Sequence, residues 1–155
     1  MGLRRSYGCR LNESGKTKLY PMHAATQRAF QLNSAFDATF LMEMHDNDLA
    51  AISAILVTAS QQISEELDRY LILAEKGDCS ELKRRIHLVK PLWGYCGLPE
   101  MQMKYQHMEQ FLGENPPAEV IRARLQSEHP CIVEGLSLIT AEVVRIQEYL
   151  KQPAS

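Results

Sequence analysis

The sequence has little that would build a β-sheet or a membrane segment. Strand-like alternation of apolar and polar residues is absent, whereas Ala, Leu, Met, Glu, Gln and Arg are abundant, which favours an all-helical protein. No apolar run approaches the length needed to cross a membrane. No apolar segment of an export signal follows the basic residues after Met1. We therefore expect a cytoplasmic protein that has no contact with a membrane.

The chain also lacks the motifs that bind metals, nucleotides or nucleic acids. Its 4 cysteines form no C-x-x-C pair, and no second pair accompanies His129 and Cys131 at zinc spacing, so we expect free thiols and no metal. There is no P-loop, Gly-rich nucleotide loop or kinase pattern, which argues against an autonomous enzyme that uses ATP. A net charge of -2, with no extended Lys/Arg run after residue 20, argues against nucleic-acid binding.

Apolar periodicity divides the chain into an extension and a helical body. Residues 1–33 keep no sustained apolar period, and we expect an N-terminal tail with a short helix over residues 23–31. Residues 34–152 should form an all-α, antiparallel up-down four-helix bundle, preceded by a short helix over residues 34–44. The four long helices are predicted at about residues 48–76, 78–97, 99–113 and 117–151.

Glycine, proline and capping residues mark the ends of these helices. Gly77 is placed to end the first long helix in a left-handed conformation, and Asp78 opens a capping box for the next. Gly97 and Gly113 should end the second and third helices. Pro130 should kink or divide the last one.

The second long helix carries a histidine that faces away from the core. Its apolar residues follow helical spacing and form one stripe, made by Leu82, Ile86, Val89, Trp93 and Cys96. At about 100° per residue, His87 projects roughly 140° from the middle of that stripe. Lys83, Lys90, Pro91 and Gly94 lie within about 40° of it by the same count. We therefore expect an exposed imidazole with cations beside it.

Such a histidine is suited to receive a phosphoryl group. A neutral imidazole nitrogen can attack phosphorus at neutral pH, because its unperturbed pKa is about 6.5. Lys90, one turn along, would place an ammonium near the phosphoryl oxygens, and Lys83 or Arg84 would help to attract an acidic partner. Pro91 and Gly94 would leave room for an approaching domain.

Two features near His87 bear on its accessibility. Pro91 should bend the helix near His87 or loosen it toward Gly94, since proline cannot donate to the His87 carbonyl. Leu88 and Tyr95 lie well off the core stripe. They either form an apolar docking patch around His87 or pack on another helix of the bundle.

These residues also carry a family resemblance. His87-x-x-Lys90, with Gly97 followed by an apolar residue, resembles the H-x-x-K-G motif of histidine-containing phosphotransfer (HPt) domains. The usual glycine after the lysine is Pro91 here, as in a subset that reads H-x-x-K-P followed by G-L. The resemblance covers roughly residues 36–150, and the order of the predicted helices is also similar to that of HPt domains.

The resemblance implies a phosphorelay intermediate in two-component signal transduction. His87 would accept a phosphoryl group from the aspartate of a receiver domain and pass it to another receiver, with Lys90 in support. The implied partners are response-regulator receiver domains, with a hybrid histidine kinase as a further candidate, and the implied state is a monomer. The protein would need no cofactor of its own, because the receiver supplies magnesium.

Two alternatives remain open at this point. The same bundle would also serve as a docking or adaptor module that binds a signalling partner without being phosphorylated. An enzyme or metal protein that uses the bundle interior would require inward-facing polar ligands, which the pattern does not supply.

Overall fold

The computed structural model describes residues 7–11, 17–21 and 29–152. The chain divides into two compact units, residues 1–29 with 154–155, and residues 30–153. In the first unit, strand β1 (Tyr7–Leu11) pairs antiparallel with strand β2 (Thr17–Pro21). This hairpin was not predicted from the sequence, which shows no strand-like alternation.

The second unit is all-helical within its described residues. Its five helices are α1 (Ala38–Met44), α2 (Leu49–Glu75), α3 (Cys79–Tyr95), α4 (Pro99–Gly113) and α5 (Ala118–Leu150). In these described parts of the chain, no helix has the length and apolar character needed to cross a membrane.

Aspartates begin three of the helices. The carboxylates of Asp37, Asp48 and Asp78 accept backbone N–H bonds in the first turns of α1, α2 and α3. An N-cap of this kind satisfies donors that have no partner inside the helix. At α3 the predicted capping box is half present, because the Glu81 side chain pairs with arginines instead of reaching back.

Left-handed residues end α2 and α3 as predicted. Gly77 and Gly97 both have φ of 69°, so each turn reverses the chain within three residues. The prediction that Gly113 ends α4 is confirmed, because this glycine is the last residue of the helix; Asn115, with φ of 52°, takes the left-handed position that follows. The short turns make α2, α3 and α4 successive antiparallel neighbours.

The core lies where α2 packs against α3 and α5, and where α3 packs against α4. The predicted stripe of α3 is confirmed, because all five of its apolar side chains are buried and Trp93 is fully enclosed. Burying this stripe against two neighbouring helices determines which face of α3 remains in solvent.

Some predicted boundaries were wrong. The short first helix begins at Ala38, not at residue 34, since residues 34–36 form a turn before the cap. The helix predicted over residues 23–31 falls mostly outside the described residues, and residues 29–31 are not helical. Pro130 does not divide α5, and Pro91 does not loosen α3 toward Gly94; both helices continue past their prolines.

A buried carboxylate secures the segment that leads into α1. Glu142 on α5 is 1% exposed, and it accepts the backbone N–H of Asn33 at 3.1 Å and Arg145 Nη1 at 2.5 Å. Arg145 also donates to the Gln31 carbonyl and lies over the Phe30 ring. Paired and hydrogen-bonded in this way, the buried charge holds residues 30–33 against α5.

Candidate functional site

His87 lies in the middle of α3 with its side chain 62% exposed. This exposure agrees with the helical geometry of the sequence, because the buried stripe occupies the opposite face. The imidazole is nevertheless held in place by a residue that the sequence analysis did not identify.

That residue is Glu109 of α4, which bridges the histidine and the lysine. Its Oε1 lies 2.8 Å from His87 Nδ1, and its Oε2 accepts Lys90 Nζ at 2.8 Å. The Glu109 side chain is 19% exposed and that of Lys90 is 23% exposed, so both are largely sheltered between α3 and α4. The site is therefore a cluster of three side chains on two helices.

The carboxylate of this cluster is ionised at neutral pH. The hydrogen bond from Lys90 is the main cause that lowers the pKa of Glu109, and the bond to His87 adds to it. Partial burial raises the pKa of Glu109, but by less than these hydrogen bonds lower it. The cluster thus pairs one negative charge with the Lys90 ammonium.

The bond to Glu109 assigns the tautomer of a neutral His87 ring. An ionised carboxylate can only accept, so Nδ1 must carry the proton and Nε2 must carry the lone pair. Within residues 29–152 this is the single hydrogen bond of the His87 side chain. The ring therefore presents an unpartnered, basic nitrogen on its exposed side.

Arg84 is not part of this cluster. Its Nε and Nη2 donate to both oxygens of Glu81 at 2.7 and 2.6 Å, and Arg85 donates to Glu81 and to Glu66 of α2. The hydrogen bond from Arg84 is the main cause that lowers the pKa of Glu81 to about 2. The arginine charges near His87 are thus largely balanced by carboxylates.

Lys83 lies one turn before His87 on α3, near the C-terminal end of α4. Within the described part of the chain it forms no ion pair, and a Cβ placed on Gly113 would come within 3.2 Å of its Nζ. An ammonium at this position lies at the C-terminal end of α4, where the helix dipole favours positive charge. The structure thus brings Lys90 to His87 and leaves Lys83 at the edge of the site.

Gly94 lies where α3 approaches α4. A Cβ at this position would meet Oε1 of Gln102 at 2.8 Å, because the glutamine side chain of α4 lies across the glycine. The missing side chain therefore lets α3 and α4 approach each other, and Gly94 also lines a groove at this end of α3.

The outward face of α3 is apolar beside His87. Leu88 is 54% exposed and Tyr95 is 52% exposed, so the alternative that they pack on another helix was wrong. Pro91 lies between them and joins Phe40 in lining a groove of about 390 Å³ near the C-terminal end of α3. An exposed apolar stripe thus runs along the helix next to the histidine.

Comparison of the chain with models of known protein families, with curated proteins and with solved structures finds no match in any of the three. In the described residues, no three His, Cys, Asp or Glu side chains are grouped as ligands for a metal ion.

Proposed function

We propose that this protein is an HPt-like phosphorelay intermediate, in which α2 to α5 form an antiparallel up-down four-helix bundle and His87 carries the phosphoryl group. The observation that carries the proposal is the Glu109 contact, which leaves a basic Nε2 on an exposed ring with Lys90 beside it.

The reaction at this site balances without a cofactor of the chain's own. The Nε2 lone pair of His87 attacks phosphorus, a P–N bond forms, and the P–O bond to the receiver's aspartate breaks, which releases the aspartate as a carboxylate. No proton leaves Nε2, because it carried none. The ring becomes cationic while it keeps its Nδ1 proton, and Glu109 balances that charge across the 2.8 Å contact.

Lys90 supports the product. A phosphohistidine brings about two negative charges, and an ammonium has three donors, of which one is used by Glu109. Lys90 is one helical turn from His87, so its remaining donors are within reach of phosphoryl oxygens on Nε2.

The partner must bring the rest of the catalysis. The sequence has no nucleotide-binding motif, and phosphoryl transfer needs positioned charge that commonly includes magnesium. A receiver domain with an aspartyl phosphate and its own magnesium meets this need, and a hybrid histidine kinase is a further candidate source of such a receiver. The exposed stripe of Leu88 and Tyr95 supports docking of a protein of this size beside His87.

A docking module that is never phosphorylated is the second candidate. It is favoured by the same exposed stripe, since an apolar surface next to His87 would bind a partner whether or not phosphate is transferred. The two candidates differ in whether the imidazole itself is required.

Direct phosphotransfer tests the proposal. Receiver domains are labelled with a small phosphodonor in magnesium and mixed with wild type, His87→Gln or His107→Gln; His107 is an exposed histidine on α4 that serves as a matched control. We expect acid-labile, alkali-stable label on wild type and His107→Gln, and none on His87→Gln. If no receiver from the same organism labels a folded wild-type protein, the docking module is the better interpretation.

A further inference from the structure

One carboxylate serves two groups in the candidate site. The two oxygens of Glu109 are divided between His87 Nδ1 and Lys90 Nζ, each at 2.8 Å. The first contact orients the nucleophile, whereas the second occupies the cation that a phosphoryl group on His87 would need. The two contacts therefore have opposite consequences for the phosphorylated state.

We propose that Glu109 competes with the phosphoryl group for Lys90, and that this competition sets how readily phosphohistidine passes its phosphoryl group on. The inference rests on the proposed function, because it concerns the phosphorylated form of His87. It assigns Glu109 as a positioning residue that acts through His87 and Lys90.

The competition concerns Lys90 because Glu109 already binds this ammonium at 2.8 Å, whereas the nearby arginines are bound by other carboxylates. Arg84 is held by both oxygens of Glu81, and Arg85 is held by Glu81 and Glu66. Lys83 forms no ion pair among the described residues, and its Nζ lies beside Gly113 at the end of α4. Of these cations Lys90 is the one bound to Glu109, and it would have to serve both this carboxylate and a phosphoryl group on His87.

The consequence is an incompletely neutralised phosphohistidine. Glu109 contributes one negative charge and the phosphoryl group about two, against Lys90 and the cationic ring. Partial burial of Glu109 and Lys90 strengthens their mutual attraction relative to bulk water, so the carboxylate retains part of the Lys90 charge. The phosphoryl group is thus held less tightly than it would be if Lys90 were free, which favours onward transfer.

Glu109→Gln separates the two roles of the carboxylate. A glutamine can still accept from His87 Nδ1 through its carbonyl oxygen, but it carries no charge and its amide cannot hold the Lys90 ammonium. We expect the equilibrium of transfer from a receiver to shift toward phosphohistidine by about tenfold in this variant. In a Lys90→Met background the same substitution should shift the equilibrium by less than about threefold.

The measurement is the ratio of phosphohistidine to phosphoaspartate at equilibrium in the four proteins of this cycle. If Glu109→Gln shifts the equilibrium equally with and without Lys90, Glu109 acts only by repelling the phosphoryl group, and the competition for Lys90 is wrong. The absence of any shift would also overturn it. Circular dichroism verifies that each variant is folded.

A second experiment, without a receiver domain, tests the competition for Lys90 independently of the proposed relay function. Phosphoramidate, a small donor that phosphorylates histidine directly, is used to label His87 without a receiver, and the lifetime of the label is followed. We expect a severalfold longer lifetime in Glu109→Gln than in wild type, and no such gain in the Lys90→Met background. If no receiver transfers phosphate to His87 but the label from phosphoramidate lasts longer in Glu109→Gln, the relay function is wrong and the competition for Lys90 still holds. If the lifetime of the label is the same in Glu109→Gln and wild type, the competition itself is wrong.

Discussion

The turn between α3 and α4 offers the sharpest test of how this fold positions its site. Gly97 has φ of 69°, and its carbonyl accepts the Asp37 N–H at 2.7 Å. A Cβ at Gly97 would come within 2.9 Å of Leu41 Cγ, and Leu41 is completely buried. An alanine here therefore meets both a left-handed backbone and a side chain that has nowhere to move.

The cost of Gly97→Ala follows from these two effects. A residue with a Cβ in the left-handed region costs about 1–2 kcal/mol, and crowding a packed core costs a further 1–3 kcal/mol, roughly. Gly77 provides a matched control, because it has the same φ of 69° and the nearest atom to its Cβ would be 4.0 Å away. We expect Gly97→Ala to lose about 1–3 kcal/mol more than Gly77→Ala.

Urea unfolding followed by circular dichroism measures both variants against wild type. Taking the difference between them cancels the backbone cost and the gain from restricting the unfolded chain, which both alanines share. Equal losses would refute the reasoning, because the contact with Leu41 would then contribute nothing.

Three further predictions concern single side chains. The Tyr70 hydroxyl is buried without a partner among the described residues, so Tyr70→Phe should change the free energy of unfolding by less than about 1 kcal/mol in urea; a larger loss would reveal a hydrogen bond. Lys90 lowers the pKa of Glu109, so the stability contributed by the ionised carboxylate is present at neutral pH and lost as pH falls through that lowered pKa. Glu109→Gln should accordingly be less stable than wild type at pH 7, and the difference in unfolding free energy should shrink as the pH falls below the ordinary carboxyl range; a difference of constant size across the acid range would contradict this. Leu88→Ser should weaken receiver binding severalfold without changing the midpoint of thermal unfolding. The control Val133→Ser, at a position on α5 that is 42% exposed, should change neither quantity. Equal receiver binding by the two variants would show that the exposed stripe on α3 is not part of the interface.

The features that could be predicted from the sequence are those decided by residues close together in the chain. The buried stripe that contains Trp93 repeats at helical spacing, and the exposure of His87 follows from it by geometry alone. The cap at Asp78 and the left-handed Gly77 are likewise decided by residues within one turn. The end of α4 at Gly113 was predicted from the same kind of local signal, and the left-handed residue that follows it is Asn115.

The remainder of the site depends on contacts between helices. Glu109 is 22 residues from His87, and nothing in its own neighbourhood distinguishes it from other glutamates on a polar helix face. Arg84 is an exception, because its partner Glu81 lies within one turn of it on α3 and the pairing is local. The contact of Gly94 with Gln102 could not be predicted either, because Gln102 lies on another helix.

These contacts lie along one interface between α3 and α4, so the turn that joins the two helices affects the geometry around His87. Along the side of α3 that faces α4, Gly94 meets Gln102, His87 meets Glu109 and Lys83 meets Gly113, as an antiparallel pair requires. Gly97 closes that pair, so its conformation sets the register in which the carboxylate reaches the imidazole. A histidine on an isolated helix would have the same exposure and the same neighbouring lysine, but no fixed tautomer. The reactivity we propose for His87 is therefore a property of the α3–α4 pair, and a variant that shifts this turn should lower phosphotransfer even when His87 and Lys90 are intact.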